Sequence, residues 1–166
     1  MVQKKVCMLG SSAVGKTSLV RRFVASMFSE KYQTTIGVKV DKKKVHVNEQ
    51  EIDLLLWDIE GEHELAPLRM SYLQGASGYL LVADGTRPAT LDKAFELRSR
   101  IEQEFGRLPF FLIINKSDLV ERWNFPPQME MEIAVQGWQS IRASAKTGSG
   151  VDEAFFRLAK MIVVGA

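Results

Sequence analysis

The sequence is poor in several features, and each shortage excludes a class of protein. It has one cysteine, Cys7, in 166 residues, so a disulfide within the chain is impossible, which suits a reducing cytosol. No apolar run approaches the roughly 20 residues of a membrane-spanning helix. The net charge is only +2, whereas proteins that bind DNA or RNA usually carry a strong basic patch. We therefore expect a cytoplasmic protein that has no nucleic acid as its partner.

The two ends of the sequence lack the residues to which lipids are attached. The second residue is Val2 rather than the glycine that N-myristoylation requires. The C-terminal MIVVGA contains no cysteine for prenylation. If these are the natural ends, we expect no direct lipid anchor, although a domain cut from a longer chain would look the same.

The remaining composition is typical of one globular domain, which we expect to span residues 1–166. Hydrophobic residues make up 46% and charged residues 25%, and no internal repeat or linker interrupts them. Apolar runs predict strands at 4–10, 38–47, 51–57, 78–84, 110–115 and 140–144. Amphipathic stretches predict helices at about 16–27, 90–105, after Pro126 and Pro127 as far as 135, and 151–164. This order predicts an α/β fold whose mostly parallel sheet binds ligands where the first, fourth and fifth strands end.

Residues 10–17, GSSAVGKT, fit the P-loop pattern G-x-x-x-x-G-K-[ST] between a strand and a helix, the context that the motif requires. Glycines let the backbone wrap a phosphate with its N–H groups inward, and the helix N-terminus adds a favourable dipole. Lys16 would reach the outer phosphates, and the hydroxyl of Thr17 would bind Mg²⁺. The alternative is a chance glycine-lysine turn before a helix. The residues expected to bind the nucleotide in this segment are Ser12, Ala13, Val14, Gly15, Lys16, Thr17 and Ser18.

Residues 115–118, NKSD, directly follow the predicted strand 110–115. Guanine presents two adjacent donors on its pairing edge, and the carboxylate of Asp118 could accept both. Adenine has an acceptor at N1, which the carboxylate would repel, so Asp118 would select guanine and argues against an ATPase or kinase. Asn115 could bond the other edge, and the stem of Lys116 could lie across the purine plane. By itself NKSD is a common surface turn, but together with GSSAVGKT it predicts a guanine pocket.

The tripeptide SAK, residues 144–146, closes the next short predicted strand. The backbone N–H of Ala145 would donate to O6 of guanine, although a lone SAK also fits a loop that leads into a helix. The residues expected to contact the base are Asn115, Lys116, Asp118, Leu119, Ser144, Ala145 and Lys146.

Five motifs occur in the order and spacing of the Ras superfamily of small GTPases, which the chain resembles from Lys4 to Val163. They are GSSAVGKT, YQTTIG, WDIEG, NKSD and SAK; YQTTIGVKV is most similar to the Rab branch, and Ala13 to the Rho branch. The resemblance implies a P-loop NTPase small G domain with a six-stranded, mostly parallel sheet and five helices. It also implies a Mg²⁺-dependent switch between GDP and GTP, with protein effectors and an exchange or activating protein at the switch regions. A prokaryotic member without a lipid-attachment tail would fit the chain ends.

Two segments match the family's switch regions, and the roles of their residues are implied by the resemblance alone. Thr35 matches the threonine that ligates Mg²⁺ and contacts the γ-phosphate, and Asp58 matches the carboxylate that holds Mg²⁺ through water. Gly61 matches the glycine whose N–H meets the γ-phosphate. Phe28 matches an aromatic residue that packs against guanine, and Tyr32 one that closes over the phosphates, although ordinary packing explains both equally well.

Residues 58–63 read DIEGEH, where the family usually reads D-T-A-G-Q-E. Glu62 replaces the glutamine that positions the attacking water, and Glu60 adds a carboxylate whose repulsion Mg²⁺ and Lys16 offset only in part. Either Glu62 orients the water, or a neutral His63 does so, or the chain is a non-hydrolysing pseudo-GTPase that acts as an interaction module. We expect slow hydrolysis led by Glu62. The residues expected to take part in catalysis are Lys16, Thr35, Gly61 and Glu62.

Overall fold

Six strands and four α-helices alternate in the part of the chain that the computed structural model describes, residues 2–25, 38–59 and 70–165. The strands are β1 (Val2–Gly10), β2 (Val38–Val47), β3 (Gln50–Ile59), β4 (Gly78–Asp84), β5 (Phe110–Asn115) and β6 (Ser140–Arg142). The helices are α1 (Lys16–Ala25), α2 (Ala89–Phe105), α3 (Pro127–Val135) and α4 (Val151–Val164). Short 3₁₀ helices lie at Met70–Leu73 and Val120–Arg122.

The six strands form one sheet in the order β2-β3-β1-β4-β5-β6. The pairs β1–β3, β1–β4, β4–β5 and β5–β6 are parallel, and β2–β3 is antiparallel. The prediction of a six-stranded, mostly parallel α/β sheet is therefore confirmed. The described residues form four α-helices and two 3₁₀ helices, and this count is close to the five helices predicted.

The hairpin between β2 and β3 turns at Asn48 and Glu49, where the turn was predicted. Both residues have positive φ angles, 48° and 65°. A two-residue turn of this kind matches the right-handed twist of the flanking strands, and asparagine tolerates the left-handed conformation better than most residues. The turn sets the register in which Val47 pairs with Gln50 and Val38 with Ile59.

Most predicted boundaries agree with the structure to within two residues. Strand β6 is shorter than predicted. We expected it to run over 140–144, whereas it ends at Arg142. Ser144 leaves the sheet because its N–H donates to the carbonyl of Ser149, 2.9 Å away. The loop that carries SAK therefore turns back on itself before α4 begins.

Helices cover both faces of the sheet, as the alternation of strands and helices predicts. On one face, α1 and α4 pack on residues such as Met8 and Leu56. On the other face, α2 and α3 pack on residues such as Leu9 and Leu81. Both helical layers hold β1, β4 and β5 in the middle of the molecule, so that the carboxyl ends of these strands lie side by side.

Cys7 lies on β1 with a side chain that is fully buried. Burial raises the pKa of its thiol to about 12, although the nearby Lys5 acts in the opposite direction. The thiol stays protonated at neutral pH and is a packing group rather than a nucleophile. Among the described residues, no helix has both the length and the apolar composition needed to cross a bilayer.

Candidate functional site

The candidate site lies where β1, β4 and β5 end at one edge of the sheet. Gly10 at the end of β1 pairs with Val82 on β4, and Asp84 at the end of β4 pairs with Asn115 at the end of β5. The chain leaves each strand at this edge and enters a loop. The sequence-based prediction that these three ends lie together is confirmed by the strand order.

The two glycines of the P-loop pack too closely against the neighbouring strands for any side chain. A Cβ atom on Gly10 would lie 2.4 Å from the carbonyl oxygen of Val82. A Cβ atom on Gly15 would lie 2.3 Å from Nδ2 of Asn115, and the φ of Gly15 is +101°. Ala13, between them, also has a positive φ, 62°, although it is not a glycine. The motif's glycines are thus required by the loop's contacts with β4 and β5.

Every carbonyl of the P-loop from Gly10 to Gly15 accepts a hydrogen bond, and those of Ser12, Ala13 and Val14 accept it from side chains outside the loop. Because the peptide bonds of the described residues are all trans, the N–H that shares each of these peptide groups points away from its carbonyl. The N–H groups of Ala13, Val14 and Gly15 therefore point away from the side chains that bind these three carbonyls. In the order of the carbonyls, the donors are Lys16 Nζ to the first two (3.1 and 3.0 Å), Arg87 Nη2 (2.9 Å), Lys116 Nζ (3.0 Å), Asn115 Nδ2 (2.9 Å) and the Leu19 N–H (2.9 Å).

Lys16 places a buried positive charge at the start of α1. Its side chain folds back over the loop, and the residue is 6% exposed. α1 begins at Lys16 and has no acidic residue in its first turn. A helix N-terminus, outward N–H groups and an ammonium group together form a site for an anion such as a phosphate.

Thr17 and Asp58, two of the three predicted metal ligands, meet in the structure although they are 41 residues apart. The hydroxyl of Thr17 donates to Oδ2 of Asp58 at 2.6 Å, and Asp58 is 6% exposed. A hydroxyl and a carboxylate are hard oxygen ligands of the kind that Mg²⁺ prefers. These two residues therefore fit a magnesium ion beside the P-loop.

Asn115 joins the P-loop to the loop that carries SAK. Its Nδ2 donates to the carbonyl of Val14 at 2.9 Å, and its Oδ1 accepts from the N–H of Ala145 at 3.3 Å. The residue is 2% exposed. The Ala145 N–H, which we expected to be directed at the base, thus has a long contact with Asn115.

Ser144 holds the carboxylate of Asp118. Its hydroxyl donates to Oδ1 of Asp118 at 2.7 Å and accepts from the N–H of Thr147 at 3.1 Å. Ser144 is buried, whereas Asp118 is partly exposed. The N–H of Leu119 donates to the carbonyl of Lys116 at 3.0 Å, which closes the turn that presents Asp118. One oxygen of the carboxylate is fixed by the protein, and this orients the group.

Lys116 reaches further than the sequence predicted. Its Nζ donates to the carbonyl of Ala13 at 3.0 Å and pairs with Oδ2 of Asp84 at 2.9 Å. Its backbone has a positive φ of 70°. The stem therefore spans the space between NKSD and the P-loop.

Asp84 is a residue of the candidate site that sequence reasoning missed. It is 1% exposed and accepts from the N–H of Thr86 at 2.8 Å, from the Thr86 hydroxyl at 2.7 Å and from Nε of Arg87 at 3.0 Å. Burial alone would raise the pKa of its carboxyl group, but hydrogen bonds from Thr86, Lys116 and Arg87 outweigh burial and lower the pKa to about 2. A charged residue at the end of the apolar strand GYLLVAD was the available signal.

Arg22 on α1 is a second residue that the motifs did not indicate. Its Nε donates to the carbonyl of Ala145 at 2.9 Å, and its Nη2 donates to the carbonyl of Lys146. The guanidinium group thereby ties the SAK loop to the helix that follows the P-loop.

Several predicted site residues lie outside the residues that the structure describes. Their proposed roles in the two switch regions stay predictions from the sequence. They are Phe28, Tyr32, Thr35, Glu60, Gly61, Glu62 and His63.

Comparison with known proteins agrees with the motifs and with the sheet. A model of the Ras family matches residues 5–164. The Ras-related protein Ral-B of Rattus norvegicus is 34% identical over 168 aligned positions, covering 98% of this chain and 80% of that protein. The Ras-related protein Rab-32C of Dictyostelium discoideum is 32% identical, covering 98% and 74%. The GTP-binding protein ypt2 of Schizosaccharomyces pombe is 32% identical, covering 95% and 80%.

These relatives bear on the predicted family and its branch. The match spans nearly the whole chain and takes in both the P-loop and the guanine-pocket motifs. A Rab protein is among the relatives, in agreement with the Rab-like character of YQTTIGVKV. They give no support to a prokaryotic source. The chain belongs to the Ras family of small GTPases, and it is a Rab-like member.

Proposed function

We propose that the protein is a molecular switch that binds GDP and GTP with Mg²⁺ and slowly hydrolyses GTP to GDP and phosphate. The observation that carries the proposal is the position of Asn115. Its side chain bonds the P-loop at Val14 and the SAK loop at Ala145, so one residue fixes the phosphate site and the base site relative to each other. A nucleotide that spans both loops would bind across this residue.

Recognition of guanine falls to Asp118. Ser144 orients its carboxylate through Oδ1, which favours a fixed hydrogen-bonding geometry toward the N1–H and N2–H₂ groups of the base. A base without these donors would leave a partly buried charge unpaired, and that penalty gives the site its selectivity. The N–H of Ala145 would turn from Asn115 to O6 of the base.

The phosphate and metal contacts follow from the arrangement of the P-loop. Its outward N–H groups and Lys16 would hold the β- and γ-phosphates, while Thr17 and Asp58 would hold Mg²⁺ together with Thr35. When bound, the ion would supply positive charge to the phosphate oxygens. Asp58 would exchange its hydrogen bond with Thr17 for this shared role.

Hydrolysis is proposed to be slow because Glu62 stands where the family has glutamine. Glu62 would orient the attacking water, Gly61 and Lys16 would stabilise the γ-phosphate, and no arginine of residues 28–37 is available to add charge. We expect a rate near the family's unassisted one, about 10⁻⁴ to 10⁻³ s⁻¹. An activating protein at the switch regions would raise it, and effectors would bind there in the GTP state.

A pseudo-GTPase is the second candidate, and the pair of carboxylates at Glu60 and Glu62 favours it. Two added negative charges near a triphosphate oppose the charge build-up of the transition state. In that case the protein would be an interaction module that holds nucleotide without cleaving it. The proposal also includes that residues 1–166 form one G domain. It further includes that the protein acts in the cytoplasm.

The nucleotide that co-purifies with the protein tests the binding proposal, and competition between GTP and ATP tests the choice of base. We expect GDP or GTP in the extract and no displacement by ATP. An adenine nucleotide in the extract would refute the proposal.

Single-turnover hydrolysis of bound GTP separates the two candidates. Appearance of GDP at the family's slow rate, reduced further in Glu62→Ala, supports the GTPase. GTP that stays intact supports the pseudo-GTPase. A rate lowered by His63→Ala and unchanged by Glu62→Ala would assign the water to His63 instead.

A further inference from the structure

One buried carboxylate, Asp84, holds two cationic side chains that both contact the P-loop. Oδ2 of Asp84 lies 3.0 Å from Nε of Arg87 and 2.9 Å from Nζ of Lys116. Neither Asp84 nor Arg87 belongs to the motifs that define the nucleotide site. The group connects the loop after β4 with the loops after β1 and β5.

The two cations act on successive carbonyls of the P-loop. Arg87 donates through Nη2 to the carbonyl of Ser12 at 2.9 Å, and Lys116 donates to the carbonyl of Ala13 at 3.0 Å. Since the peptides are trans, these two bonds set the directions of the next N–H groups, those of Ala13 and Val14. Both N–H groups belong to the part of the loop proposed to wrap the phosphates.

The guanidinium group of Arg87 has a geometry that a single ammonium group cannot reproduce. One nitrogen, Nε, pairs with the carboxylate while another, Nη2, donates to the P-loop. A planar fork with donors in fixed directions can hold both partners at once. Arg87 therefore acts as a rigid link between Asp84 and Ser12 rather than as a diffuse positive charge.

The conformation of the P-loop at Ala13 requires stabilising contacts. Ala13 adopts a φ of 62°, a left-handed conformation that costs free energy for a residue other than glycine. Asp84 can serve as a firm anchor because Thr86 binds its side chain and Thr90 Oγ1 accepts from its backbone N–H at 2.8 Å. The hydrogen bonds to the carbonyls of Ser12 and Ala13, on either side of the Ala13 Cα, would hold the loop in this conformation before nucleotide binds.

We propose that Arg87, fixed by Asp84, is a positioning residue that keeps the P-loop in its phosphate-binding conformation and so slows nucleotide release. The proposal rests on the proposed function, since it assigns a further residue to the same nucleotide site. Its direct contact with the nucleotide site is on the phosphate side, because Arg87 donates to the carbonyl of Ser12 and is not among the residues that bind Asp118.

The test is Arg87→Ala, because the side chain is 45% exposed and its loss should not unfold the protein. We expect GDP to dissociate about 3- to 10-fold faster, the loss of one charge-assisted hydrogen bond discounted for exposure. The affinity for guanosine, which has the base and ribose but no phosphate, should be unchanged. Arg107→Ala is the matched control, since Arg107 also meets a carboxylate through Nε, that of Glu102 at 3.5 Å, but is 89% exposed and precedes β5, at the opposite end of that strand from the site.

A second variant, Arg87→Lys, keeps the charge and removes the fork. We expect its GDP release to stay close to that of Arg87→Ala. A lysine that restores the wild-type rate would show that charge alone acts and would overturn the positioning role.

Two further outcomes separate this inference from the proposed function. Suppose that the wild type binds GDP but Arg87→Ala releases GDP at the wild-type rate, or that the variant's affinity for guanosine falls as much as its affinity for GDP. The inference about Arg87 then fails, while the proposed function stands. If the wild type binds neither GDP nor guanosine, the proposed function fails and takes the inference with it.

Discussion

The proposed phosphate side of the site is built from backbone, and the proposed guanine side is built from one carboxylate. Along the P-loop, every carbonyl from Gly10 to Gly15 accepts a hydrogen bond within the protein, and no side chain fits at Gly15. At the proposed base side, the recognising group would be Asp118, which Ser144 orients. Recognition by backbone groups depends on the many hydrogen bonds that hold the loop, and binding is lost when the conformation of the loop changes. Side-chain recognition depends on one residue, whose change should alter the ligand rather than abolish binding.

The largest effect is expected from Gly15→Ala, which breaks the backbone side of this comparison. The new Cβ would meet Nδ2 of Asn115 at 2.3 Å, and the φ of +101° is unfavourable for alanine. Strain plus the lost bond between Asn115 and Val14 should weaken GDP binding by about 100-fold or more, measured by titration calorimetry.

Gly137→Ala is the control for that variant. Gly137 also has a positive φ, +74°, but its added Cβ would meet nothing within 4 Å, and it follows α3 away from the site. It should bind GDP as the wild type does. Equal losses in both variants would mean that the conformational strain alone, and not the contact with Asn115, weakens binding.

A smaller effect, on stability, is expected from Asp84→Asn. The folded-state pKa of about 2 lies below the ordinary value of 3.8, so the ionised carboxylate stabilises the fold above about pH 4, and this contribution is lost as pH falls toward 2. We expect a loss of about 2 kcal/mol in the free energy of unfolding at pH 7, from urea denaturation. The difference from wild type should shrink between pH 4 and pH 2.

The exposed Glu104→Gln on α2 is the reference for this pH dependence. It should cost little stability at any of these pH values, as expected of an exposed carboxylate. A loss for Asp84→Asn that does not change between pH 7 and pH 2 would show that the ionised form of Asp84 is not what stabilises the fold.

The smallest effect is expected from Arg22→Ala, which acts on the base side. Loss of the two bonds to the carbonyls of Ala145 and Lys146 should loosen the SAK loop and speed release of GDP by about 3-fold. Unlike Arg87→Ala, Arg22→Ala should lower the affinities for guanosine and for GDP to the same extent. A variant that weakens GDP only would place Arg22 on the phosphate side and remove the distinction between the two arginines.

The parts of the fold that sequence could predict are those with a local cause. The apolar run GYLLVAD and the Asn48-Glu49 turn specify a strand and a hairpin within a few residues. The P-loop, NKSD and SAK are likewise contiguous, and their positions at the ends of strands followed from the α/β order. These motifs therefore located most of the described part of the candidate site.

The supports of the site could not be predicted because they depend on contacts between distant parts of the chain. Arg87 and Ser12 are 75 residues apart, and Arg22 and Ala145 are 123 apart. No local pattern pairs such residues, and an arginine is usually solvated at the surface. The roles of Thr35, Gly61 and Glu62 stay predictions, since these residues lie outside the described part of the chain.

The most direct measurement is the affinity of Asp118→Asn for GDP and for xanthosine diphosphate, compared with the wild type. Xanthine carries a carbonyl where guanine carries the N2 amine, so an asparagine amide can donate to it where a carboxylate cannot. We predict that the variant loses affinity for GDP and prefers the xanthine nucleotide. Unchanged affinity for GDP with no gain for xanthosine diphosphate would contradict the assignment of a guanine nucleotide site.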